Sequence, residues 1–183
     1  MTIRYEANPP KILPNVNTDE SIKKFVDKIK TISRKCDAIH LTENVLGHKR
    51  VSPIKIGEII KKEIPDIPIT VSLRVRDKDE SEIEKFVDKC ISIGITGILI
   101  IMGDPSQKKT SDSGLIPSEV ISNLKKKKYD SKIELYLSIS NKPNFSKIGK
   151  KLRANPKGFM TQVVQNIQQV QNLSDNLKQF SII

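Results

Sequence analysis

Gly94-Ile95-Thr96-Gly97-Ile98-Leu99-Ile100-Ile101-Met102-Gly103-Asp104-Pro105 is the stretch from which the architecture of this chain can be worked out. A short apolar run that empties into Gly-Asp-Pro reads as a fully buried parallel strand followed by a loop. In α/β folds, ligands bind at the carboxyl ends of such strands. Gly103 lacks a Cβ and would let a backbone approach a ligand closely. Asp104 would add a carboxylate there, and Pro105 would stiffen the exit. The same turn also suits an ordinary strand end capped by an Asx bond.

Apolar strand patterns alternate with amphipathic helix patterns on both sides of this stretch. Strands are expected at Ile3–Ala7, Ala38–Thr42, Ile69–Leu73, the Gly-Asp-Pro strand, Ile133–Ser138 and Gly158–Val164. Between them, Asn17, Thr18 or Asp19 caps a helix carrying Ile22, Phe25, Val26 and Ile29. A helix from Pro53 presents Ile56, Ile59 and Ile60, and one from Asp79 presents Ile83, Phe86, Val87, Cys90 and Ile91 before stopping at Gly94. Shorter helices are expected near Ser118–Lys125 and Phe145–Arg153, and a Gln- and Asn-rich one over Asn166–Leu177. Phe180-Ser181-Ile182-Ile183 reads as the start of a seventh strand. Six βα repeats of about 30 residues point to a parallel sheet. A closed (β/α)8 barrel usually takes about 250 residues, so 183 residues suit an incomplete TIM-barrel-like α/β fold in one domain, residues 1–183. An open doubly wound sheet competes, but it often carries a glycine-rich first turn, and here that turn is Asn8-Pro9-Pro10-Lys11.

Composition narrows the function classes. The net charge is +11, which can serve nucleic acid, an anionic surface or a small polyanion. The lysines are spread over most helices, and Lys125–Lys128 suits a helix C-terminus. Aromatics are scarce and Trp is absent, so a base-stacking surface has little material. No run of apolar residues spans a bilayer, and Arg4, Glu6 and Lys11 interrupt any signal-like start. Cys36 and Cys90 have no ligand spacing, so no metal site is expected, and a reduced cytoplasmic setting fits.

The strand ends carry the candidate chemistry: Glu6 and Asn8; Thr42, Glu43 and Asn44; Arg74, Arg76 and Asp77; Asp104; Ser138, Ser140 and Asn141; Thr161 and Gln162. A parallel barrel puts them all on one face. Glu6 lies within an apolar strand just before Pro-Pro. A carboxylate there is expected to be partly desolvated, which favours its protonated form and suits general-acid work. Pairing with a nearby Arg or Lys is the other reading of the same residue.

In that order along the chain, several segments resemble the methylenetetrahydrofolate reductase family, flavoenzymes built on a (β/α)8 barrel. They are Tyr5-Glu6-Ala7-Asn8-Pro9-Pro10-Lys11, Thr42-Glu43-Asn44 with Arg50-Val51-Ser52-Pro53, Ser72-Leu73-Arg74-Val75-Arg76-Asp77, Gly94 to Pro105, Asp112-Ser113-Gly114-Leu115-Ile116, Asn141-Lys142-Pro143-Asn144 and Thr161-Gln162. The resemblance implies a catalytic acid at Glu6 and a carboxylate near the flavin at Asp104. It implies FAD contacts at Thr42, Gly103, Asp104, Lys150 and Lys151, the lysines near the diphosphate, and a pterin contact at Gln162. It further implies a tetrahydrofolate-type substrate and NAD(P)H or another protein as electron donor. The chain departs from the family at Ser72-Leu73-Arg74, at Met102 and at Ser138, and it supplies no strand eight. The alternative expectation is therefore a non-catalytic or half-barrel subunit that pairs with a partner reductase or methyltransferase chain, a partner subunit or second copy completing the barrel; binding of nucleic acid rests on charge alone.

Overall fold

Strand order decides between the two parallel architectures. In the computed structural model, which describes residues 2–43, 48–103, 112–140, 142–144, 148–164 and 166–180, six strands pair in the order β1-β2-β3-β4-β5-β6. They are β1 (Arg4–Ala7), β2 (Ala38–Leu41), β3 (Ile69–Arg74), β4 (Gly97–Ile101), β5 (Glu134–Ile139) and β6 (Gly158–Thr161). Every pairing is parallel. A doubly wound sheet reverses its strand order at a switch point; this sheet never does. It is the sequential winding of a barrel, curled but not closed.

The helices are α1 (Thr18–Ile32), α2 (Pro53–Glu63), α3 (Glu80–Ser92), α4 (Pro117–Lys126), α5 (Gly149–Arg153) and α6 (Ile167–Phe180). Their starts follow from local chemistry. Asn17 Oδ1 accepts from the N–H groups of Asp19 and Glu20, which satisfies donors that have no partner inside the helix. Asp79 and Glu82 form a reciprocal capping box on α3, and Pro53 opens α2. After α3 the chain turns through Gly94 at φ 77°, a conformation that suits glycine. The lysine run is a helix end, as expected: Lys125 donates to the Asn155 carbonyl and Lys127 pairs with Glu84.

The core lies between the sheet and the helices. Ile39, Leu41, Ile69, Val71, Leu73, Ile98, Ile100, Leu135 and Leu137 face outward and are buried against Ile22, Val26 and Ile29 of α1, Ile56 and Ile60 of α2, Ile83, Val87 and Cys90 of α3, and Val120, Ile121 and Leu124 of α4. A smaller cluster of Ile139, Ile148 and Leu173 holds α6. Two boundaries differ from the sequence reading. Phe180 ends α6 instead of opening a strand, because the apolar positions Leu173 and Leu177 carry the helical phase that far. The rest of the expected seventh strand, residues 181–183, lies outside the described residues. Strand six stops at Thr161, short of Val164.

Candidate functional site

The alternate residues of each strand face the concave side, and there the wall is polar. The registers place Glu6 opposite His40, His40 opposite Thr70, Ser72 opposite Leu99, Leu99 opposite Tyr136, and Ser138 opposite Met160. A closed barrel usually fills this side with branched apolar side chains. Here His40, Thr70, Ser72 and Arg74 are buried polar groups. Toward the carboxyl ends of the strands the concave side opens into a cleft of about 850 Å3, within the roughly 300–1,000 Å3 range of small-molecule sites. Glu6, His40, Thr42, Ser72, Arg74, Gly103, Ser138, Ser140, Lys151 and Gln162 line it, with an apolar strip from Leu99, Ile101, Met102 and Met160.

The floor is closed by a contact across the sheet. The Arg4 guanidinium lies 5.1 Å from the centre of the Tyr136 ring. Tyr136 donates its hydroxyl to Glu134 Oε2 at 2.6 Å. Gly97 and Gly158 leave room for that ring, since a Cβ at either would stand 3.0 or 3.4 Å from it. Burial, and after it the nearby Arg4 charge, pushes the His40 imidazole down to about 4. It is neutral near pH 7, with Nε2 3.1 Å from Ser72 Oγ.

The residues singled out from sequence are redistributed. Glu6 lines the cleft but is exposed; the partial burial expected of it is absent, since among the described residues no strand pairs with the outer side of β1. Thr42 is buried, and its hydroxyl donates to Asn8 Oδ1 at 2.6 Å, so it ties the first two strand ends together. Gly103 has φ 84°, and a Cβ there would stand 2.6 Å from Arg74 Nε. The close approach this glycine permits is therefore to the chain's own arginine. Lys150 turns away from the cleft and reaches Glu119 at 3.3 Å on the outer surface, which corrects the expectation that both lysines face one ligand. Lys151 is half-buried in the cleft and donates to the Ser138 carbonyl at 2.7 Å; burial pulls its ammonium below the usual lysine range. Gln162 stands exposed at the rim. Asp104, Asn44 and Asn141 lie outside the described residues.

The loop ends around β3 are knitted by charge. Glu43 accepts from the Arg74 backbone N–H at 2.9 Å and from Lys78 Nζ at 3.1 Å. Arg76 pairs with Asp112 at 3.1 Å, and the Ser113 hydroxyl donates to the Val75 carbonyl. Thus Glu43, Arg76 and Asp112 serve the scaffold. His40, Ser72, Leu99 and Met160 are cleft residues that inspection of strand ends alone passes over. For His40 and Ser72 the signal is the alternation in Ala38-Ile39-His40-Leu41-Thr42 and Ile69-Thr70-Val71-Ser72-Leu73-Arg74, where every second residue is polar or small; the apolar strands around Leu99 and Met160 carry no such signal. Among the described residues no cluster could hold a metal ion, and no helix is long and apolar enough to cross a membrane.

No protein-family model and no curated protein matches the chain. Solved structures do. A protein from Clostridium thermocellum, described as binding two copies of 5-methyl-5,6,7,8-tetrahydrofolic acid, matches with TM-score 0.64 and 16% identity over 97% of this chain and 60% of its own. A protein from Aquifex aeolicus matches with TM-score 0.62 and 13% identity over 98% of this chain and 71% of its own. A chain described as an aldolase matches with TM-score 0.53 and 15% identity over 85% and 66%. This chain thus spans 60% of the length of the first of them. At these identities the likeness carries the fold: six parallel strands with alternating helices, an incomplete TIM-barrel-like α/β architecture.

Proposed function

We propose that the cleft binds a tetrahydropterin carrying a one-carbon unit and that, with FAD bound, the protein reduces methylene-tetrahydrofolate, or an analogous tetrahydropterin, to its methyl form. The observation that carries this reading is the convergence of Glu6, Lys151 and Gln162 on one cleft with an apolar strip between them. A flat heteroaromatic ring needs the strip, and its polar edge needs the amide and the carboxylate. The folate described for the Clostridium thermocellum protein supports the same ligand class.

The residues present fit a flavin at two points. Leu99, Ile101, Met102 and Met160 offer a surface for the ring system. The Lys151 ammonium makes no ion pair among the described residues and would serve a phosphate. When bound, the flavin supplies the hydride, drawn from NAD(P)H or a protein donor. Glu6 donates a proton to the nitrogen that leaves the methylene carbon, which makes that carbon electrophilic. The Gln162 side-chain amide holds the pterin edge. Anaerobic reduction of methylene-tetrahydrofolate by the FAD-loaded protein tests this. Glu6→Gln should keep flavin and lose turnover, and equal turnover in the variant would remove the acid role.

A second reading has its own observation. Among the described residues β1 and β6 have no outer strand neighbour, and Ile3, Val163 and Ile167 are 51%, 84% and 77% exposed beside those edges. Uncovered sheet edges and apolar groups favour association. A partner subunit or second copy would complete the barrel, and light scattering distinguishes it: a monodisperse monomer refutes this reading.

A further inference from the structure

We propose that Glu6, His40 and Ser72 act as one hydrogen-bonded row across the first three strands, with His40 the positioning residue that fixes the Glu6 carboxylate in the cleft. The inference rests on the reading of Glu6 as the acid of this site. Three observations carry it. Glu6 and His40 are register partners on adjacent parallel strands, and both line the cleft. His40 is only 4% exposed, and its Nδ1 is buried with no hydrogen-bond partner among the described residues. Its other nitrogen is already spoken for, 3.1 Å from Ser72 Oγ.

A buried ring nitrogen without a partner is costly to leave unmade. Among the described residues, the charged and titratable groups on the concave side around His40 are Arg4 and Glu6 on β1, Arg74 on β3, and Glu134 and Tyr136 on β5, with Glu43 and Lys151 lining the same cleft. Glu43 accepts from the Arg74 backbone N–H and from Lys78, and Lys151 donates to the Ser138 carbonyl. Arg4 is stacked on Tyr136, and Glu134 accepts from the Tyr136 hydroxyl. Arg74 is held beneath Gly103 and beside Asp77. Glu6 alone of these acceptors is uncommitted among the described residues. Hydrogen bonds of a catalytic group are often long before ligand arrives and tighten afterwards. In the proposed row Ser72 donates to Nε2, which leaves the ring proton on Nδ1 for donation to the carboxylate of its register partner Glu6. One Glu6 oxygen is then held and the other is left for the ligand. His40 is kept neutral by burial and by Arg4, so it does not compete with the ligand for the proton.

The test is 15N NMR of the His40 imidazole at pH 7 in the intact protein without ligand. The row predicts a neutral ring protonated at Nδ1. In Glu6→Ala, a change at an exposed side chain that leaves the fold in place, exchange of that proton with water should accelerate roughly tenfold or more, the loss of one charge-assisted hydrogen bond. Ser72→Ala should shift the ring toward a mixture of tautomers. A ring protonated at Nε2, which would assign Nδ1 to Arg4, overturns the proposal, as does an exchange rate indifferent to Glu6→Ala. Because no ligand is involved, this result stands apart from whether the cleft takes a tetrahydropterin.

Discussion

The Arg4 guanidinium sits 5.1 Å from the Tyr136 ring and so joins β1 to β5 across the concave side of the sheet. It spans three intervening strands, which is possible only because the sheet is curled. The pair forms the floor on which the cleft rests. Arg4→Met keeps the stem and removes the cation, and should cost about 0.5–2 kcal/mol in a urea melt. It should also raise the His40 titration midpoint, because Arg4 is one of the two influences that lower it.

His40 gives the protein a defined acid sensitivity. Its folded-state value is about 4 against an ordinary 6.5, so between those values the unfolded chain binds the proton first. Stability therefore falls as pH drops through that window and levels off below it. The span corresponds to roughly 3 kcal/mol. Urea melts from pH 7 to 4 should show this fall, and His40→Asn should flatten it. A wild-type profile flat from 6.5 to 4 would contradict the buried neutral imidazole.

Gly103 and Arg74 should be coupled. Gly103→Ala meets both a left-handed backbone at φ 84° and a 2.6 Å approach to Arg74 Nε. The backbone alone costs about 1–2 kcal/mol, and the clash adds to it. Arg74→Ala in the Gly103→Ala background should recover the clash part, so a double-mutant cycle should show a non-additive term above about 0.5 kcal/mol.

The two cysteines should differ sharply. Burial in α3 pushes the Cys90 thiol up to about 12, while Cys36 is partly exposed. A thiol reagent at pH 8 should modify Cys36 in the folded protein and reach Cys90 only after denaturation.

Much of the fold was legible because two periodicities are clean. Ile22, Val26 and Ile29 mark one helix face, and Asn17 and Asp79 announce their caps at the expected positions. The alternation in β2 and β3 is equally plain, but its polar half faces the cleft, and strand ends alone do not reveal that. Other features depend on geometry that sequence does not carry. Lys150 and Lys151 are adjacent, and about 100° of helix rotation sends one to Glu119 and the other into the cleft. The glycine before Asp104 is visible in the chain, but the arginine packed beneath it comes from β3, 29 positions earlier. Glu6 sits in an apolar strand, yet its exposure depends on β1 having no outer strand neighbour among the described residues.

The most direct test of the central claim is the visible absorption spectrum of the protein titrated with FAD, in wild type and with Lys151 or Lys150 replaced by alanine. A perturbed, saturable flavin spectrum is predicted, with affinity falling roughly tenfold or more in Lys151→Ala and unchanged in Lys150→Ala. An unperturbed flavin spectrum at every concentration, or equal loss from both substitutions, would contradict a flavin site in this cleft.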